Sequence, residues 1–225
     1  MRIIIVAATA LEVAPLVSAL GLSPERAQLR TGRFRGEPID VLITGVGMMA
    51  TAAWCGRTLS QTSYDLALNF GVCGSFDHAL PPGTVVHVVS DRVAELGAED
   101  GPSFLTVQQL QLLAADEFPF VDGQLVNTDP ISNPVLHSLP QAEGITVNTV
   151  HGADASIAAV VSRFAPQVES MEGAAFMYAC LISGVPFAQV RAVSNVVERR
   201  NRAAWKMPMA IEHLGVTAMR LLEAS

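Results

Sequence analysis

Ile39-Asp40-Val41-Leu42-Ile43-Thr44-Gly45-Val46-Gly47-Met48-Met49-Ala50 passes from an apolar, β-branched run through a glycine turn into the opening of an Ala-rich helix. A strand that breaks at a Gly-x-Gly turn and continues as helix is the unit of a sheet covered by helices. The alternation extends in both directions. Strands are expected at residues 3–8, 39–44, 66–70, 84–90, 124–127, 145–150 and 187–193, and helices at 11–20, 48–61, 107–115, 155–164, 171–183 and 208–222. Several of the strands are apolar at every position, as strands buried under helices are. The fold class is α/β.

The chain has 225 residues, 50% hydrophobic and 16% charged, with a formal net charge of −7. Chains of up to roughly 250 residues often form one α/β domain, and a charged fraction below the usual ~25% excludes disorder as the main state. The acidic balance argues against nucleic-acid or anionic-membrane binding through bulk electrostatics. Cys55, Cys73 and Cys180 form no CxxC pair, so neither a disulfide framework nor a zinc site is expected, and a reducing cytoplasm is the simplest compartment. Residues 3–8, followed by Ala8-Thr9-Ala10, mimic a signal peptide. The run is shorter than the ~7–15 residues of a secretory core, and no run approaches the ~20 of a membrane span. It reads as a buried first strand. Pro81-Pro82-Gly83 and Asp100-Gly101-Pro102 read as turns rather than domain boundaries, so residues 1–225 are expected to form a single domain.

Two glycine loops stand at strand ends. Gly45-Val46-Gly47-Met48-Met49-Ala50 has the GxGxxA form that brings backbone N–H groups to an anion. It follows the second expected strand rather than the first, and Asp65 precedes a strand instead of ending one, so a tight turn explains it as well as a dinucleotide does. Asn69-Phe70-Gly71-Val72-Cys73-Gly74-Ser75 ends another strand, where α/β sheets place ligands. Cys73 has no local histidine to activate it and reads as a loop residue that places backbone.

Glu12 after the first strand, Val168-Glu169-Ser170-Met171-Glu172-Gly173-Ala174-Ala175-Phe176, Arg191-Ala192-Val193-Ser194-Asn195 and both glycine loops together resemble the nucleoside phosphorylase and nucleosidase superfamily. The stretch from Ser194 through Glu198-Arg199-Arg200-Asn201-Arg202 and Trp205-Lys206-Met207-Pro208 to Ile211 resembles its futalosine hydrolase branch. The resemblance implies a three-layer sandwich with a mixed central sheet flanked by helices. It also implies hydrolysis of futalosine to hypoxanthine and dehypoxanthine futalosine in menaquinone formation, without metal or organic cofactor. Relatives are homo-oligomers, commonly with a partner subunit near the active site.

Cleaving a ribose–purine bond passes through an oxocarbenium-like transition state, so a site must activate water, steady a cationic sugar and neutralise the departing base. By the resemblance, Glu12 deprotonates the attacking water, whereas its plain reading is an exposed first-turn helix glutamate. Glu172 accepts from the ribose hydroxyls, and a glutamate amid Met, Gly and Ala is hard to explain as solvated decoration. The resemblance also sets Met171 against the apolar face of the sugar, whereas its plain reading is core packing. Asn195 replaces the aspartate of adenine-directed members; an amide can donate to N7 and pair with an exocyclic oxygen, which favours a 6-oxopurine, and helix capping is its other reading. Phe70, Cys73, Gly74 and Val150 are expected around the base, with core packing the equal alternative for Phe70. Val72 stands where some adenine-directed members carry serine. Arg200 and Asn201, with Trp205, are candidates to meet the benzoate of futalosine; a solvated loop face is the alternative.

Rival readings are a phosphorylase of the same fold, which needs arginines at a phosphate site and has no evident pair near Glu12 or the loop after Asn69, an adenine-directed methylthioadenosine/adenosylhomocysteine nucleosidase, and a noncatalytic dinucleotide-binding module.

Overall fold

The computed structural model describes residues 1–22, 28–101 and 103–225. In chain order the elements are β1 (Ile3–Ala7), α1 (Ala14–Ala19), β2 (Leu29–Phe34), β3 (Glu37–Ile43), α2 (Met48–Gln61), β4 (Leu66–Ser75), β5 (Val85–Val93), β6 (Gly97–Asp100), β7 (Ser103–Thr106), β8 (Phe120–Val121), β9 (Gln124–Val126), α3 (Pro134–Ser138), β10 (Gln141–Thr146), α4 (Asp154–Phe164), β11 (Val168–Ser170), α5 (Gly173–Ser183), β12 (Phe187–Val196) and α6 (Met207–Glu223).

Strand alternation builds the three layers. Ile3, Ile5 and Ala7 of β1 join Leu16, Val17, Leu214, Ala218 and Leu221 in a core beneath α1 and α6. Ile4 and Val6 face the opposite way, into a core with Cys55 of α2 and Ala174, Phe176, Met177 and Cys180 of α5. The sheet between them is mixed. β1 runs parallel to β3 and β4, and β12 is parallel to β4 but antiparallel to β5. β10 is parallel to β5 and β11, and β11 returns antiparallel to the end of β4. Pairing thus closes a ring through β4, β12, β5, β10 and β11, which gathers strand ends distant in sequence around one opening.

Several expectations need correction. Residues 107–115 form turns rather than a helix. Thr106 and Gln109 exchange backbone-to-side-chain hydrogen bonds that start one turn, and Gln111, at φ 59°, ends it. The strand expected at 145–150 lies at Gln141–Thr146. β4 runs on through Ser75, so the second glycine segment is strand, not loop, its backbone paired with β12 and β11. Edge strand β2, the hairpin β6/β7, short β8 and β11, and α3 had no expectation. Their faces are polar or their length only a few residues, which leaves little periodicity to read. Of the expected turn at 100–102, Pro102 lies outside the described residues.

Candidate active site

A cavity of about 350 Å³ opens where the carboxyl ends of β1, β4, β11 and β12 converge, the position at which parallel strands present ligands. Its wall includes Glu12, Val72, Cys73, Gly74, Val150, Glu169, Met171, Glu172, Asn195 and Trp205.

Glu12 lies in the turn that precedes α1 rather than in a helix, and it is buried, so the exposed first-turn reading fails. Its Oε2 accepts from the N–H and Oγ1 of Thr9 at 2.9 and 2.8 Å. Oε1 accepts from the backbone N–H of Val72 at 3.1 Å. A carboxylate has about four acceptor positions, so this one is held rigidly from two sides with capacity left at Oε1. Val72 serves through its main chain, and its side chain brings no hydroxyl to the cavity.

Glu172 occupies the N-cap position of α5, where the helix N-terminus favours negative charge. Its Oε1 accepts the N–H of Gly47 at 2.9 Å. Burial raises its pKa, the Arg191 charge opposes that rise, and Glu12 reinforces it. The GxGxxA amide that a dinucleotide would need is therefore directed at a protein carboxylate. Beneath α5, Thr146 Oγ1 donates to Asp91 Oδ1 at 2.8 Å and Gln189 Nε2 to Asp91 Oδ2 at 2.9 Å, while Ala174 N–H donates to Thr146 Oγ1 at 2.7 Å. A Cβ at Gly173 would overlap Asp91. This buried polar cluster clamps the helix start against the sheet and so sets the position of Glu172.

Arg191 is the residue that sequence reasoning undervalued. Its side chain is 1% exposed, inside the sheet, with Nη2 donating to Asn69 Oδ1. A Cβ on Gly71 would overlap the guanidinium and stand 3.1 Å from Glu12 Oε1. The glycine thus makes room for a cation beside Glu12. The readable signal was a charge within the apolar run Phe187–Val196, because a buried guanidinium needs anions or acceptors near it.

Asn195 and Gly74 share a rung of the sheet, and Glu169 pairs with Gly74 from the other side. The register shift between Val193 and Asn195 makes Ser194 a bulge, a device that re-aims neighbouring side chains. Asn195 Oδ1 accepts from Ser194 Oγ at 2.8 Å, and Nδ2 donates to Val196 O at 2.9 Å. One amide hydrogen and one oxygen lone pair remain for a ligand. The residue lies within β12 and caps no helix. Cys73 is buried and its thiol is pushed up to about 12 by burial, so it lines the cavity as an un-ionised group.

The structure brings Met171 and Val150 to the wall, as expected. Phe70 is not brought there. It lies one pleat below Val72, fully buried in the core with Leu68 and Val190. Arg200 and Asn201 are exposed and outside the wall; Arg200 stacks over Trp205, 5.6 Å from its ring centroid, at the cavity rim. Among the described residues the wall holds no lysine or arginine. Arg2 pairs with Asp40 at 2.8 Å and Arg92 stacks on Phe164, both away from Glu12.

A model of the phosphorylase superfamily matches residues 2–223. The chain is 32% identical over 217 residues to the futalosine hydrolase of Acidothermus cellulolyticus, covering 94% of this chain and 86% of that protein. It is 30% identical to the futalosine hydrolase of Thermus thermophilus, over 84% of this chain and 83% of that one. Among solved structures, the 5′-methylthioadenosine/S-adenosylhomocysteine nucleosidase of Neisseria meningitidis superposes with a TM-score of 0.80 at 14% identity, covering 100% of this chain and 99% of that one. The futalosine hydrolase of Helicobacter pylori superposes at 0.74 with 16% identity, over 99% and 97%. At those identities the two superpositions speak to the fold alone. The match across residues 2–223 and the two sequence relatives establish that the chain belongs to the phosphorylase superfamily and, within it, to the futalosine hydrolase family.

Proposed function

We propose that this chain hydrolyses the N-ribosyl bond of futalosine, releasing hypoxanthine and dehypoxanthine futalosine in menaquinone formation. The observation that carries the reading is one cavity that brings the buried carboxylates of Glu12 and Glu172 together with an amide, Asn195, on a wall that holds no lysine or arginine among the described residues. Glu12 takes a proton from the attacking water, the role its spare acceptor capacity at Oε1 suits. Glu172 holds the ribose hydroxyls, and its charge stabilises the cationic sugar. Asn195 presents both a donor and an acceptor, which fits a 6-oxopurine better than adenine. A phosphorylase would need cationic side chains around its phosphate.

Met171, Val150, Gly74 and Cys73 supply the sugar and base walls. Trp205 with Arg200 stacked on it offers a ring face and a cation to the benzoate, and Asn201 flanks them. The functional unit is the single domain of residues 1–225, acting in the cytoplasm, where thiols such as the free, buried Cys55, Cys73 and Cys180 persist.

The enzyme works as a homo-oligomer. An apolar groove formed by Leu11, Pro15, Ile211, Val216 and Met219 adjoins the active site through Leu11, Met207 and Ile211. Leu11 and Val216 are 63% and 58% exposed, so a second copy seated there would bury apolar surface. Sedimentation at micromolar concentration reads the mass, and a monomer throughout contradicts this.

Chromatography of free base after incubation with futalosine, inosine or methylthioadenosine, with and without phosphate, tests the activity. Hypoxanthine from futalosine, independent of phosphate, is expected. Adenine from methylthioadenosine as the main product contradicts the assignment of Asn195.

A further inference from the structure

Asn195 cannot give up a proton as a carboxylic acid can, so the departing purine needs another source. Glu169 stands opposite Asn195 across Gly74: a Cβ on Gly74 would lie 3.4 Å from Asn195 Nδ2 and 3.5 Å from Glu169 Cγ. Glu169 is buried and lines the catalytic cavity. Its Oε1 accepts the backbone N–H of His151 at 3.1 Å, and its Oε2 shares a 2.6 Å hydrogen bond with His151 Nδ1. His151 in turn lines a different cavity, of about 490 Å³, whose other walls come from the β6/β7 hairpin, α4 and the segment after β5. The pair therefore spans the partition between two cavities, its acid on the catalytic side and its imidazole on the other.

We infer that Glu169 and His151 form a proton relay that feeds the base leaving the catalytic cavity from solvent in the neighbouring one. This rests on the nucleosidase reading above. As the ribose–purine bond breaks, its electron pair passes to the purine, and the Glu169 carboxyl gives its proton to a ring nitrogen of the base. His151 Nδ1–H then reprotonates Glu169, and Nε2 takes a proton from solvent. The proton of the attacking water goes to Glu12 and returns to solvent, so each turnover consumes one water and no net proton. Burial favours the protonated form of Glu169, against the pull of His151, as the mechanism requires. Among the described residues, the other ionisable groups lining the two cavities are Glu12, Glu172 and the un-ionised Cys73 thiol on the catalytic side, and Glu95 after β5, Glu99 on β6 and Arg163 on α4 on the other.

The test is the pH profile of kcat for futalosine. Two coupled bases hold their last proton to higher pH than either alone. In His151→Gln the alkaline limb should move to lower pH by one unit or more, with kcat on the acid side within tenfold of wild type. Glu169→Gln should lose at least 100-fold in kcat at every pH with KM little changed. A histidine that merely supports the loop would lower kcat evenly and leave the limb in place, which overturns the relay, as does a wild-type profile with no alkaline limb. Should either variant fail to fold, 15N NMR of the wild-type imidazole decides: the His151 titration must coincide with the kcat limb. Absence of hypoxanthine release by the wild type sinks the functional reading itself, whereas normal release with an unmoved limb sinks only the relay.

Discussion

Glu172 accepts a hydrogen bond from the backbone N–H of Gly47 at 2.9 Å, joining residues 125 positions apart in the chain. The bond turns a glycine loop with the outline of a dinucleotide motif into a support for Glu172, the carboxylate proposed to hold the sugar. Gly47 has φ 97°, and a Cβ there would meet nothing within 4 Å. Gly47→Ala therefore reads backbone strain without a clash. We expect a loss of about 1–2 kcal/mol, measurable by denaturant unfolding, together with a roughly tenfold fall in kcat/KM as the strained backbone shifts the N–H that Glu172 accepts.

Glu12→Gln keeps the size of the side chain and removes its basicity. General-base catalysis contributes ~10²–10⁴-fold, so kcat should fall by at least about 100-fold while a direct binding measurement with futalosine stays within a few fold. Near-normal kcat removes Glu12 from the mechanism.

Asn195→Asp exchanges the amide for a carboxyl that can donate to N7 only when protonated. The ratio of kcat/KM for hypoxanthine-releasing over adenine-releasing substrates should drop by about tenfold or more. An unchanged ratio places base selection elsewhere.

Arg200→Ala and Trp205→Ala should raise KM for futalosine by about tenfold and leave inosine, which has no benzoate, within twofold. Equal effects on both substrates would show that the rim supports the cavity rather than the benzoate.

Asp91 supplies a pH prediction. Burial pushes its pKa to about 6 from the ordinary 3.8, against the opposing effects of Gln189, Thr146 and Arg191. Between about pH 4 and 6 the folded state keeps a proton that the unfolded chain has released, so stability falls as pH rises through that window, by roughly 3 kcal/mol for this group alone. Asp91→Asn should flatten that slope relative to wild type, because Asn can still accept from Thr146. A wild-type slope retained in the variant assigns it to other groups.

What the sequence discloses is local. The bounds of α2 follow from the Gly45-Val46-Gly47 turn and the Ala-rich run behind it, and they match the structure at both ends. Glu12, Glu172 and Asn195 stand out through the family resemblance rather than through local pattern, in which Glu12 reads as an exposed helix glutamate, and one cavity contains all three. The rest depends on closure of the sheet. Arg191 is explained only when Gly71 of a neighbouring strand leaves room for it. The Glu169–His151 pair forms because β10 and β11 lie side by side in parallel, bringing the loop after β10 back to β11. Phe70, which the sequence leaves between base wall and core, is core for the complementary reason: a strand's alternation gives its face but not its depth, and one pleat separates the cavity from the core.

In the proposed reaction, water activated at Glu12 attacks the ribose. Reaction of futalosine in 18O-enriched water with phosphate present, followed by mass spectrometry of the sugar product, identifies the nucleophile. We predict one 18O atom in dehypoxanthine futalosine and no phosphorylated sugar. A sugar phosphate without solvent label would make phosphate, not water, the nucleophile.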